Sequence, residues 1–322
     1  MELKNHTRYP AILVRTGIDE HNMAAAVVVR TTYDLSADDT SSLSDEQIWQ
    51  VSAPPWEGPQ GPMESDEILY RGGVDLFIFG FARPPVGRRV RHMELGIRVG
   101  SNFERRFAVF GRRIWERSGN QLRAGKPEPI VQISLGPESA FGGKDLWDEL
   151  PIPYPQNPVG IGYYLTAESA EGSPLPFLEC PEHPIINWDD KPEPVWLTPC
   201  PFSAGPRLEN GYDFDPRTGE ITRLKPELFN AAHPRMIVPQ VHPGDEIVIA
   251  GVQESGLFRF RVPDLKLETN FQFDSEIFSR LLKVDQIGIE VEKRRVFITW
   301  RYHCRYPYYP LQKRSCELRV KS

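Results

Sequence analysis

Proline is the feature that most limits what this chain can fold into. It occupies 31 of 322 positions, about twice the usual share of ~5%, and roughly half of those fall in the middle third. A proline ring fixes φ and removes a backbone donor, so helix interiors and central strands are closed to it. This argues against an all-helical fold and for short strands joined by rigid turns. Between Ser139 and Tyr164 the breakers Gly142-Gly143 and Asn157-Pro158 leave no helix or strand period intact. Disorder is a poor description of that stretch. Phe141, Leu146, Trp147, Tyr154, Tyr163 and Tyr164 supply apolar surface that would gain from burial.

The two ends read as β. Ala11–Val14 and Ala25–Tyr33 are apolar runs rich in Val and Thr, and Asp75–Phe81 is apolar on both faces, as a strand covered on both sides would be. Val90–Val99 and Phe103–Trp115 alternate with arginines. Glu246–Val252 and Leu257–Val262 form a hairpin pattern, with Phe258, Phe260 and Val262 on one face and Arg259 and Arg261 on the other. Ile287, Ile289 and Val291 alternate likewise, as do Val296, Ile298, Trp300 and Tyr302 beyond a turn near Lys293-Arg294. Tyr212 to Gly219 reads as a turn in which Pro216 presets φ and Gly219 accepts a positive one. Short helices are expected at Lys225–Ala232 and Glu276–Leu282. The expected fold is mainly β, with antiparallel sandwich-like sheets at both ends, a long Pro/Gly-rich irregular middle and few short helices. Its expected divisions are 1–135, 136–235 and 236–322, packed as one unit or as two tightly packed β domains.

Charge is unevenly distributed. Thr31–Tyr70 holds several acids and no Lys or Arg, whereas Arg83–Arg123 is rich in arginine. Arg88, Arg89, Arg91, Arg105 and Arg106 are candidates for contact with an acidic partner, since arginine suits bidentate carboxylate recognition. A solvated strand face, or pairing with the acidic stretch, accounts for the same pattern. The net charge of −6 gives no expectation of nucleic-acid binding. No apolar run approaches the ~20 residues that span a bilayer, and none near the start matches a secretory signal. The four cysteines lack metal or redox spacing and read as reduced, buried thiols in a cytoplasmic protein.

No template for catalysis fits. GxSxG, the Walker loop, HExxH and the dinucleotide fingerprint are missing from the sequence. His183, His233 and His242 are not spaced as metal ligands, and no catalytic, cofactor-binding or metal-binding residue is assigned. Asp148-Glu149 and Asp189-Asp190 are paired carboxylates, the residue type of glycosidases, but sequence neighbours on a strand point apart. Trp188, Trp196 and the Tyr306, Tyr308 and Tyr309 cluster could form a sugar-binding platform or a local core.

Seven motifs occur in order: Gly111-Arg112-Arg113-Ile114-Trp115, Ala140-Phe141-Gly142-Gly143, Asn157-Pro158-Val159-Gly160-Ile161-Gly162, Leu175-Pro176-Phe177-Leu178-Glu179, Phe229-Asn230-Ala231-Ala232, Gly244-Asp245-Glu246 and Trp300-Arg301. Together they resemble a bacterial domain-of-unknown-function family (number two-one-six-nine) encoded in type VI secretion gene clusters, over nearly the whole chain. Arg112 departs from the family pattern, where an acid is expected, and so does Phe214, where a tryptophan is. The resemblance implies a cytoplasmic adaptor or chaperone without a cofactor. Such a protein would bind a toxic effector and help load it onto the spike protein of the secretion machine. The expected family-signature residues are Arg113, Trp115, Phe141, Gly142, Gly143, Asn157, Pro158, Gly160, Gly162, Glu179, Trp300 and Arg301.

Overall fold

The computed structural model describes residues 1–309 and 311–321. The protein is mainly β, with several mostly antiparallel sheets and two short α-helices, Ala167–Ala170 and Gly205–Gly211. The largest sheet has seven strands. Six run in the order Ala11–Gly17, Asn22–Leu35, Arg295–Pro307, Lys283–Glu290, Val74–Phe79 and Ile237–Val238, and Ser41–Leu43 pairs on Asn22–Leu35. A five-stranded sheet follows the order Leu178–Glu179, Phe103–Phe110, His92–Val99, Glu246–Gln253 and Gly256–Arg261. A third, of four strands, is ordered Leu3–Asn5, Arg314–Val320, Leu267–Phe273 and Glu276–Leu281.

The strand Asn22–Leu35 explains the arrangement. Alternate side chains of a strand face opposite ways. Ala25, Val27 and Val29 enter the main core, while Ala26 and Val28 pack with Val14 and Val51 on the other side. Both faces are covered, so the run is apolar throughout. Its ladder to Arg295–Pro307 extends from Asp34↔Arg295 to Asn22↔Pro307. Residues 1–135 and 236–322 thus share strands in one sheet. The main core also takes Leu95, Phe107, Ile249 and Phe260 from the five-stranded sheet and Phe271 and Leu318 from the four-stranded one.

The middle segment has a second core of its own, formed by Trp115, Leu122, Phe141, Tyr154, Tyr163, Ala170, Leu175 and Ile185. It is less irregular than the sequence suggests, because Phe141–Gly142, Lys144–Trp147, Leu150–Pro153 and Ile161–Gly162 are all strands. Two helix expectations change. Lys225–Ala232 contains only a 3-10 turn at Pro226–Phe229. Glu276–Leu281 is a strand, because the turn at Asp274-Ser275 folds it back against Leu267–Phe273 and the ladder outweighs local preference. The Tyr212–Phe214 and Ile221–Leu224 hairpin is present, with Gly219 at φ 70°. All four cysteines are free; burial pushes the Cys200 thiol up to about 12 and those of Cys304 and Cys316 up to about 11.

Candidate functional site

The signature residues converge at the base of a projecting hairpin. Phe141–Gly142 pairs in parallel with Ile161–Gly162. Asn157, which is buried, donates from Nδ2 to the carbonyls of Pro137 at 2.8 Å and Phe141 at 3.0 Å, and its own carbonyl accepts from the Gly143 N–H at 2.8 Å. The backbones approach so closely that side chains do not fit. A Cβ on Gly142, whose φ is 144°, would overlap the Asn157 carbonyl oxygen, and one on Gly143 would lie 2.6 Å from the Gly160 oxygen. Gly160 itself is walled in by Asn157 and Ala140, and Gly162, at φ 103°, faces Pro176. Glycine is required here for approach as well as for dihedral freedom. Pro158 lies on the exposed side of the knot.

From this knot rises the hairpin Lys144–Trp147 and Leu150–Pro153. Its two-residue turn is Asp148-Glu149, with φ of 46° and 67°. Two successive positive φ values match the twist of a tight hairpin, so this carboxylate pair forms a turn. Asp145 locks the base to the following helix: its Oδ2 accepts from the Leu165 N–H at 2.7 Å and the Ser169 hydroxyl at 2.5 Å. Desolvation pushes the Asp145 carboxyl up, but these donors and the Leu146 N–H outweigh it and hold it below its ordinary range.

The hairpin is apolar where it meets solvent. Leu146 is 63% exposed, Trp147 57%, Leu150 64% and Ile152 37%. The sequence places Leu146 and Trp147 among residues that seek burial, and this is corrected. Phe141, Tyr154 and Tyr163 fill the second core, while Leu146 and Trp147 face outward on a two-stranded ribbon too thin to have an interior. Phe214, Ile221 and Leu224 are likewise exposed on the second hairpin.

Other signature residues brace the scaffold. Arg113 and Glu179 form a buried ion pair. Arg113 also donates to the Pro176 carbonyl at 3.2 Å and lies 3.7 Å from the Phe110 ring centre, and Glu179 accepts from the Ile185 N–H at 3.2 Å. Burial raises the Glu179 carboxyl above the usual range, against the opposing pull of Arg113. Trp115 is buried in the second core. Trp300, also buried, donates from Nε1 to the Thr31 hydroxyl at 2.9 Å.

Arg301 belongs to a charge network that sequence reasoning missed. Its Nε donates to Asp285 Oδ2 at 3.0 Å, and its Nη1 caps the carbonyls of Asp66 and Ile68. Arg71 bridges Asp285 at 3.1 Å and Asp75 at 3.0 Å, and Arg30 pairs with Asp66 at 2.6 Å. Asn230 donates to Asp75 at 2.8 Å and also binds the backbone of Gly72 and Gly73, while Asp75 accepts the N–H groups of Ala231 and Ala232. The signal was legible as charges inside apolar runs: Arg30 within Ala25–Tyr33 and Asp75 at the head of Asp75–Phe81.

The five candidate arginines do not share a face. Arg105 and Arg106 alternate on one strand. Arg105 donates to the Arg235 carbonyl at 3.2 Å, whereas Arg106 pairs with Glu104 at 2.8 Å and Glu94 at 3.6 Å. Arg91 caps the Pro127 carbonyl at 2.5 Å. Arg88 and Arg89 are exposed in the preceding loop. For the sugar platform, Trp196 and Tyr306 are buried, Trp188 is half-buried against the second core, and Tyr308 and Tyr309 are exposed. Asp190 caps a turn through the Ile186 and Asn187 N–H groups. Among the described residues, no group of three or more His, Cys, Asp or Glu could hold a metal ion, and no helix is long and apolar enough to cross a membrane.

Sheets with a shared core and a braced, outward-facing hairpin define a mainly β protein. The family described as an uncharacterized protein conserved in bacteria (DUF2169) matches residues 20–301, and the chain belongs to it. No curated protein and no solved structure matches the chain.

Proposed function

We propose that this protein is a non-catalytic adaptor or chaperone of a bacterial type VI secretion system, and that it acts in the cytoplasm. It binds a toxic effector and helps load it onto the spike protein. The observation that carries this reading is the hairpin Lys144–Pro153. The register sets exposed Trp147 opposite Leu150 and places Ile152 on the same face, with exposed Leu146 on the other face of the ribbon, and exposed apolar faces of this kind mark sites of protein contact. Tryptophan and its aliphatic neighbours supply the large desolvated area that dominates protein–protein binding. Anchoring by the glycine knot removes part of the ordering cost on association.

The test is co-purification with the products of adjacent genes. The effector and spike protein are expected to be retained by the full chain. The double substitution Trp147→Ser and Leu150→Ser should abolish effector retention and lower thermal stability only slightly, because both side chains are more than half exposed and lose little beyond their contact with each other. Charge reversal at Arg88 and Arg89 is the companion variant, and it should leave retention intact. If the hairpin variant binds normally, or if no neighbouring product is retained, the reading fails. Loss of binding on reversal of Arg88 and Arg89 would instead move the docking face to that loop.

A further inference from the structure

A strand at a sheet edge leaves half of its N–H and C=O groups without a ladder partner, and such edges are usually very short, bulged, or guarded by lysine or proline. Several edges here are very short: Leu3–Asn5, Leu178–Glu179 and Ile237–Val238. The strand Glu276–Leu281 has no such guard. It ends the four-stranded sheet, and its ladder with Leu267–Phe273 has no register shift. All six residues are exposed, with Ile277 at 64%, Phe278 at 42% and Leu281 at 43%, and none is proline or lysine.

The hydrogen-bond phase follows from the turn. Phe273 and Glu276 flank the two-residue turn Asp274-Ser275, the position at which a hairpin exchanges both backbone bonds. Glu276, Phe278 and Arg280 therefore bond inward, and the N–H and C=O groups of Ile277, Ser279 and Leu281 face the open edge. Side chains of the inward-bonding set line a cleft of about 250 Å³ with Phe271, Phe273 and Tyr302. Glu276 and Arg280 make no ion pair among the described residues. Four residues apart on a strand, they sit about 13 Å from each other and cannot pair internally.

We propose that this edge pairs antiparallel with the same edge of a second copy of the chain, joining two four-stranded sheets across a two-fold axis. With Phe278 opposite Phe278, the register places Ile277 opposite Ser279, so the outward backbone groups satisfy one another. The same register sets Glu276 opposite Arg280 at both ends of the ladder. The strand is therefore complementary in charge to itself, while neither Glu276 nor Arg280 has an ion-pair partner among the described residues. Exposed Tyr309 and Leu311 beside the turn at Asp274 extend the apolar surface. This inference is independent of effector binding.

Size-exclusion chromatography with light scattering tests it on the full chain, which is expected at twice the 36.8 kDa of one copy. E276R places arginine opposite arginine at both ends, and R280E places glutamate opposite glutamate. Each should weaken the dimer by on the order of tenfold or more. The double variant E276R/R280E restores opposite charges in swapped order and should recover the dimer. Hydrogen exchange should slow at the Ile277 and Ser279 amides as the dimer forms. A monomeric wild type, a double variant that stays weakened, or a dimer with unprotected edge amides overturns the proposal.

Discussion

Protonation of His233 should make this protein acid-labile well above the range where its carboxylates titrate. The imidazole is completely buried. Its Nε2 lies 2.9 Å from the Pro194 carbonyl, its Nδ1 accepts from the Arg235 N–H at 3.2 Å, and its ring meets Trp196 edge-on at 4.8 Å. A carbonyl on one nitrogen and an N–H on the other fit one neutral tautomer, Nε2–H. A proton added at Nδ1 would face that N–H. Burial accordingly pushes the imidazole down from 6.5 to about 3, with the Pro194 carbonyl opposing and the Arg235 charge reinforcing the shift. The unfolded chain therefore binds the proton first. Stability is fully present above pH 6.5 and is lost as pH falls from there toward 3, at about 1.4 kcal/mol per unit. Between pH 6.5 and 5 the loss is about 2 kcal/mol, or roughly 3 °C in Tm for a chain of this length. His303, lowered chiefly by burial, adds to the slope in the same window, whereas Glu179, whose carboxyl is raised, acts in the opposite sense. Urea unfolding at several pH values, for the wild type and for His233→Gln, isolates the one group. The glutamine variant should lose about 1.4 kcal/mol per pH unit less than the wild type across that window. Equal slopes would refute the reasoning, whatever the variant's absolute stability.

Two further substitutions probe the buried scaffold. Asp285→Asn removes the carboxylate shared by Arg71 and Arg301, leaving Arg71 with Asp75 and the Phe229 carbonyl, and Arg301 with backbone carbonyls. Breaking a buried pair in this way should lower unfolding free energy by about 3–5 kcal/mol, read from a shifted urea midpoint; a loss below about 1 kcal/mol would mean the network is not holding the strands. Gly142→Ala puts a Cβ onto the Asn157 carbonyl at a φ of 144° and should lower stability by about 1–3 kcal/mol or more. Faster amide exchange at Gly143 and Tyr163 should accompany it, and an unchanged exchange pattern would show that the knot yields without strain.

Legibility in the sequence followed how local each cause was. The run Asp75–Phe81 announced a strand covered on both faces, and Val74–Phe79 is one, because every side chain in it records its own surroundings; Ala25–Tyr33 read only as an apolar run rich in Val and Thr. The pairing of Ala25–Tyr33 with Arg295–Pro307 did not show, since register between segments this far apart is set by the whole core. Glu276–Leu282 carries apolar residues at positions 277, 278, 281 and 282, a spacing that suits a helix, and only the turn before it assigns the strand. Asp148-Glu149 was unreadable as a turn because both positive φ values fall on acids, whereas Asn-Gly or Asp-Gly is the usual signal. The burial of His233 left no mark in the sequence, because its partners, the Pro194 carbonyl and the Trp196 ring, are set by the fold.

The signature residues lie at the base of the hairpin and in the buried scaffold and include none of its exposed side chains, and the reason is physical. Gly142, Gly143, Gly160 and Asn157 are fixed by backbone approach, where no other side chain fits or bonds equally well. Arg113, Glu179, Arg301 and Asn230 are fixed by buried partners that would otherwise be left unsatisfied. Leu146, Trp147, Leu150 and Ile152 are under neither constraint, because they touch water and nothing in the fold demands their identity. A braced ribbon can therefore keep its base while its outward side chains are matched to a particular cargo. On this reading the glycine knot sets where recognition happens, and the hairpin's side chains set what is recognised.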